Sequence, residues 1–153
     1  MLAANEGISA TVENTDCSTA VYLRGYAHIE LQNWDNAKLD LTKAITLAPA
    51  NAHYLAELGH YYQVKQQWPE ALTQFQRAEK FAKAFSPEDV KISELTRAKR
   101  GIGFVLIEQG QLNQAEAKFK ESLALDPNDR TAQSELRYIN KLREKNRATD
   151  QPI

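Results

Sequence analysis

At 153 residues the chain has the length of one domain, and its aromatic share of 8% suits a stack of thin helical layers better than one thick core. Its net charge of −1 argues against a dedicated nucleic-acid-binding or membrane-surface protein. No apolar run approaches the roughly 18 residues that a membrane helix needs, so no membrane insertion is predicted.

The single cysteine, Cys17, excludes an internal disulfide and favours a reducing compartment. The first four residues, Met1 to Ala4, lack the basic start and the apolar core of a signal peptide. A cytoplasmic location is therefore favoured. Export is the alternative if an upstream signal has been removed.

The front of the chain resembles the last turn of a helix that ends at Gly7. Residues 1–15 are therefore predicted to be a separate N-terminal segment, either a remnant of an upstream repeat or a lid that folds back. Asp16 or Ser18 can cap the next helix, which is predicted to reach about Leu31.

Helix signals follow in order along the next third of the chain. Asp35 is predicted to cap a second helix that ends before Pro49. Asn51 leads into a third helix that extends to about Lys65. Pro69 then occupies the first turn of a fourth helix, where its missing N–H costs nothing.

A helix start is clearest at Ser86, where a capping serine precedes Pro87 and two acids that the helix dipole favours. No helix breaker appears from there to Gly110. After Asp129, a helix over residues 130–145 is predicted to cap the C-terminal end, because its apolar residues fall near one face. These residues are Ala132, Leu136, Ile139 and Leu142.

Three glycines open copies of one pattern, at offsets of 34 (59 minus 25) and 44 (103 minus 59) residues. A mid-helix glycine costs about 1 kcal/mol relative to alanine, so each is expected to mark a close helix crossing. The ten extra residues before the third copy are predicted to lengthen its first helix by two to three turns; a ten-residue loop is the alternative. The pattern comprises a glycine (Gly25, Gly59, Gly103), an alanine twelve residues later (Ala37, Ala71, Ala115) and a bulky residue sixteen later (Leu41, Phe75, Phe119).

The pattern resembles the tetratricopeptide repeat family. The resemblance implies an all-α, right-handed α-solenoid of three antiparallel helical hairpins with a terminal capping helix. The domain would span residues 16–147, with repeats at 18–51, 52–85 and 96–129, followed by a disordered tail at 148–153. The matching motifs are Leu58-Gly59 with Tyr62, Ile102-Gly103 with Leu106, and the closing prolines Pro49 and Pro127.

In this family the first helices of the repeats line a concave groove where peptides dock. The resemblance therefore implies a non-enzymatic module for protein–protein interaction or scaffolding, with a protein or peptide partner. The groove is expected to bind a segment with one acidic and one apolar side chain, because arginines and aromatic residues line it. The residues expected to face the groove are Tyr22, Tyr26, Ile29, His53, Glu57, His60, Arg97, Arg100 and Phe104.

One subtype of the family clamps the terminal carboxylate of heat-shock chaperone tails. Of the five matching positions here, only Arg97 fits, and Glu57 would repel a carboxylate. The clamp activity is therefore not carried over. The five positions are Tyr22, Tyr26, Glu57, Arg97 and Gly101.

Other functions have weaker support in the residues. No catalytic constellation, metal-ligand spacing or cofactor motif is present, so no enzyme, metal or cofactor is predicted. A basic cluster on the third repeat could contact the phosphates of a nucleic acid, but the interspersed acids favour a solvated helix face. The remaining alternatives are a structural assembly segment of a longer repeat protein and self-association at the N-terminal end. The basic cluster consists of Lys91, Arg97, Lys99 and Arg100.

Overall fold

The computed structural model describes the backbone of residues 3–149 and the side chains of residues 17–148. The described part of the chain folds into seven helices without a strand, which pack as three hairpins and a last helix. The predicted all-α, right-handed solenoid is therefore confirmed. The helices are α1 (Ala3–Glu30), α2 (Trp34–Leu47), α3 (Ala52–Val64), α4 (Trp68–Phe85), α5 (Glu88–Glu108), α6 (Leu112–Leu125) and α7 (Arg130–Thr149).

Local capping explains where several of these helices begin. The Asn51 side chain accepts a hydrogen bond from the backbone N–H of Tyr54 at 3.1 Å and caps α3, which begins directly after Asn51 as predicted. Pro69 lies in the first turn of α4, also as predicted. Asp35 lies in the first turn of α2 and does not cap it, because the helix begins one residue earlier, at Trp34.

The start of α5 differs from the prediction in its capping residue. Ser86 ends α4, and its hydroxyl donates to the Glu94 carboxylate, so it does not cap α5. The carbonyl of Pro87 instead accepts the N–H groups of Val90 and Lys91. The predicted long helix is confirmed, since α5 has 21 residues against 13 in α3. Helix α4 is also longer than α2, with 18 residues against 14, so the insertion lengthens both the last helix of the second repeat and the first helix of the third.

The two ends of the chain need corrections. Helix α1 runs without a break from residue 3 to residue 30, so the predicted helix end at Gly7 and helix start at Asp16 or Ser18 are wrong. Neither a proline nor a chain reversal interrupts this stretch, and a single glycine weakens a helix without ending it. Helix α7 continues to residue 149, beyond the predicted end at 145, while residues 150–153 lie outside the described part.

An ion pair joins α1 and α2 at the N-terminal end of the solenoid. The Arg24 guanidinium donates two hydrogen bonds to the Asp40 carboxylate, at 2.6 and 2.7 Å. Asp40 is buried, and the bonds from Arg24 hold the pKa of its carboxyl below the usual value. The ring of Tyr22 on α1 stacks on the ring of Tyr54 of the next repeat, with the ring centroids 4.8 Å apart. Self-association at this end remains a prediction.

The repeated glycines make room in two different ways. A Cβ at Gly25 would lie 3.2 Å from the backbone nitrogen of Leu41, so this glycine marks a close crossing of α1 and α2. At Gly59 a Cβ would meet the ring of Phe75 at 2.9 Å, and at Gly103 the ring of Phe119 at 2.7 Å. These two glycines therefore seat an aromatic ring in the core.

Replacing Gly59 with leucine is expected to destabilise the protein by about 1–3 kcal/mol or more, because the new side chain needs the space of the Phe75 ring. Thermal and denaturant unfolding would measure the loss. Ala117→Leu, at an exposed position of α6, is the matched control and should change stability by less than about 0.5 kcal/mol. A Gly59→Leu protein as stable as this control would contradict the packing described here.

Candidate functional site

The first helices of the repeats are joined by a chain of polar contacts that begins at Tyr22 on α1. The Tyr22 hydroxyl lies 2.7 Å from Nε2 of His53 on α3. The other ring nitrogen of His53, Nδ1, lies 3.4 Å from the Arg97 guanidinium on α5. Arg97 also donates to the Glu57 carboxylate, which is buried. The polar groups of this half of the groove therefore satisfy one another across three helices.

Burial shifts the pKa values of two residues in this series of polar contacts, Tyr22 and His53. Burial, with Glu57 nearby, raises the pKa of Tyr22 to about 12, so its phenol stays neutral at physiological pH. Burial and the neighbouring Arg97 lower the pKa of His53, although Glu57 and Glu94 oppose this shift. A neutral His53 can accept a hydrogen bond from Arg97 at Nδ1 and donate one to Tyr22 at Nε2.

A small cleft opens in the other half of the groove, between α3, α5 and α7. Its volume is about 170 Å³. The floor consists of the buried rings of Phe75 and Phe119, beside Gly101. A Cβ on Gly101 would overlap the Phe75 ring, so glycine is required where the floor meets α5. The rim consists of His60, Gln63, Arg97, Arg100, Phe104, Thr131 and Glu135.

A second ion pair holds Arg100 at this rim. Its Nη1 atom lies 2.9 Å from Oδ2 of Asp129, which also accepts the Ser122 hydroxyl at 2.8 Å. The other carboxylate oxygen accepts the N–H of Ala132 and so caps α7. Burial acts to raise the pKa of Asp129, but these three donors outweigh it and hold the pKa below its usual value. Asp129 thus joins the capping helix to the groove.

The structure brings four of the predicted groove residues together at the cleft: His60, Arg97, Arg100 and Phe104. The others lie on α1 and on the first half of α3: Tyr22, Tyr26, Ile29, His53 and Glu57.

Three features of the site differ from the prediction. Ile29 is only 7% exposed and belongs to the hydrophobic core, so its assignment to the groove surface is wrong. Glu57 is also buried, and it acts as the partner of Arg97. Thr131 and Glu135 on α7 line the cleft but were missed, because the sequence indicated only a capping role for that helix.

Within the described residues, no group of histidine, cysteine, aspartate and glutamate side chains could hold a metal ion. None of the described helices is long and apolar enough to cross a membrane.

Comparison with known proteins supports the fold. Residues 18–51 match the family model described as tetratricopeptide repeat. The Arabidopsis OM64 tetratricopeptide repeat domain superimposes with a TM-score of 0.73 at 22% identity, covering 84% of this chain and 98% of that domain. No curated protein sequence matches at a significant level.

Two further solved structures of this fold contain bound peptides. The first tetratricopeptide repeat domain of Spaghetti (RPAP3), bound to the HSP90 peptide SRMEEVD, has a TM-score of 0.71 at 19% identity, with 82% of this chain and 91% of that chain covered. The second such domain of human RPAP3, in complex with the HSP70 peptide SGPTIEEVD, has a TM-score of 0.66 at 21% identity, with 80% and 98% covered.

The chain thus has the tetratricopeptide repeat fold, with three helical hairpins followed by a seventh helix, and residues 18–51 match the family model itself.

Asp129→Asn is expected to destabilise the protein by about 1–3 kcal/mol at pH 7, because it weakens the bonds to Arg100 and Ser122. The depressed pKa of Asp129 means that its contribution is present above the unfolded value of 3.8 and is lost as the pH falls through the folded pKa. The difference between wild type and variant should therefore be constant from pH 7 to about pH 5 and shrink below about pH 4.

Chemical unfolding at a series of pH values would measure this difference. Asp89→Asn, at an exposed position in the first turn of α5, provides the control and should show a small effect. A cost of Asp129→Asn that does not change down to pH 2 would contradict the assigned ion pair.

Proposed function

We propose that the protein is a non-enzymatic interaction module whose concave groove binds a peptide segment of a protein partner. The observation that carries the proposal is the cleft, which combines an aromatic floor with a polar rim. An apolar side chain of the ligand would enter the cleft and contact Phe75 and Phe119. The rim would then orient the peptide backbone.

The size of the cleft favours a side chain over a free metabolite. Its volume of about 170 Å³ is below the ~300–1,000 Å³ that small-molecule sites usually occupy. An anchor of this kind, surrounded by polar groups, is typical of the residues that dominate protein interfaces. Tyr26, 42% exposed on α1, and Phe104 at the cleft would add apolar contact along the groove.

The peptide complexes of the RPAP3 domains support groove binding as a use of this fold, but not the same ligand. Glu57 and Gly101 stand at positions where the carboxylate-clamp subtype carries its polar residues. Arg97, the one position that fits, is paired with Glu57. We therefore do not extend the binding of chaperone tails to this protein.

A nucleic-acid-binding role has less support, because each cation of the basic cluster on α5 has an acidic partner. Lys91 pairs with Glu88, and Lys99 pairs with Glu79 and Glu121. Arg97 and Arg100 are paired as described above. Little free positive charge is left there for phosphate groups.

Selection from a random peptide library displayed on phage would test groove binding. The selected peptides are expected to share an apolar residue. Tyr26→Ala should weaken their binding roughly thirtyfold, the effect of about 2 kcal/mol that marks a hot spot. Tyr138→Ala is the matched control, because Tyr138 is similarly exposed, at 47%, but lies on α7 outside the cleft.

Titration of labelled peptides by fluorescence polarisation would give the affinities. Selected peptides that bind Tyr26→Ala and Phe104→Ala with the affinity of the wild type would contradict binding in the groove. A library that yields no binder would do the same. The structural-segment alternative would then be preferred.

A further inference from the structure

The charges around the cleft do not balance once the ion pairs are taken into account. Arg97 is neutralised by Glu57, and Arg100 by Asp129. These two pairs contribute no net charge, and the rim histidine, His60, is counted as neutral. Glu135 is then the remaining charged residue of the rim, so the cleft as a whole is negative.

Glu135 differs from the other half-buried carboxylates of the protein. Glu79 has Lys99 and Lys118 as partners, and Glu116 has Lys120 and Arg143. Among the described residues, Glu135 has neither an ion pair nor a side-chain hydrogen bond. Burial raises the pKa of its carboxyl, with no neighbouring charge to offset the loss of water. A partly buried carboxylate without a partner is unfavourable in the unbound protein.

We infer that the peptide bound in the cleft carries a basic side chain, lysine or arginine, that pairs with Glu135 of the capping helix. This inference rests on the proposed function and specifies the ligand of the same site. The basic group would lie close in sequence to the apolar residue above Phe75 and Phe119, because all three protein residues line one small cleft. Charge-assisted hydrogen bonds of this kind are stronger than neutral ones.

The sequence alone predicted an acidic side chain on the ligand, because Arg97 and Arg100 line the groove. The ion pairs of these arginines favour a basic side chain instead. A carboxylate in the cleft would have to share an arginine with Glu57 or Asp129, which already occupy N–H groups of these side chains. It would also lie in the same cleft as the Glu135 carboxylate, and like charges at short range repel. A basic side chain meets an unpaired partner instead.

The test uses three sets of synthetic peptides with acetylated and amidated ends, so that terminal charges do not contribute. Every peptide contains one leucine or phenylalanine in an alanine and serine background. Each set places one further residue at every position up to four away: lysine in the first, glutamine in the second and glutamate in the third. Fluorescence polarisation at low and moderate salt would give the affinities.

The best lysine peptides are expected to bind at least about tenfold more tightly than their glutamine counterparts, with glutamate peptides weakest. Glu135→Gln, which keeps the shape of the side chain, should reduce the lysine preference to near one. Glu144→Gln is the control, because Glu144 is an exposed carboxylate on the same helix. It should leave the preference unchanged. Circular dichroism would verify that each variant is folded.

Equal binding of lysine and glutamine peptides, a preference for glutamate, or a lysine preference that survives Glu135→Gln would overturn the inference and leave groove binding intact. Failure of every peptide to bind would instead overturn the proposed function and the inference with it. The two failures are therefore distinguishable.

Discussion

The Phe75 ring packs against two glycines, Gly59 on α3 and Gly101 on α5, and the stacking of the second and third repeats depends on this contact. Either glycine alone would weaken its helix by about 1 kcal/mol relative to alanine. The ring fills the space that the two missing side chains leave. The same arrangement brings the core close to the groove, because the buried rings of Phe75 and Phe119 form the floor of the cleft. One packing constraint thus produces both the stack and its candidate binding site.

Ion pairs between helices determine what the rest of the groove can offer a ligand. Glu57 and Asp129 are buried carboxylates, and each holds an arginine that would otherwise be available at the surface. Breaking such a pair leaves a buried charge without a partner, so these contacts help to fix how the helices pack. They also remove most of the free positive charge from the groove. Under the proposed function, the binding preference of the groove then depends on the apolar floor and on Glu135.

Short-range and periodic features of the sequence predicted the fold well. The glycine, alanine and aromatic pattern established the repeats, and Asn51 and Pro69 established two helix starts. The ion pairs could not be predicted in the same way, because Arg97 and Glu57 are 40 residues apart and Arg100 and Asp129 are 29 apart. Glu135 was missed for a related reason: its place at the cleft depends on how α7 packs against α5, and local sequence patterns do not predict that packing. Ile29 was assigned to the groove because helix periodicity alone does not show how far a face turns toward the core.

The most direct test of the central packing claim is a double-mutant cycle between Gly101→Ala and Phe75→Leu, measured by chemical unfolding. Gly101→Ala should destabilise the protein although alanine is the better helix former, because its Cβ would overlap the Phe75 ring. Leucine at position 75 should relieve much of this overlap. The free energy of unfolding of the double variant is therefore expected to exceed, by about 1 kcal/mol or more, the value obtained by adding the effects of the two single variants. Additive effects within about 0.5 kcal/mol, or a stabilising Gly101→Ala, would contradict the account.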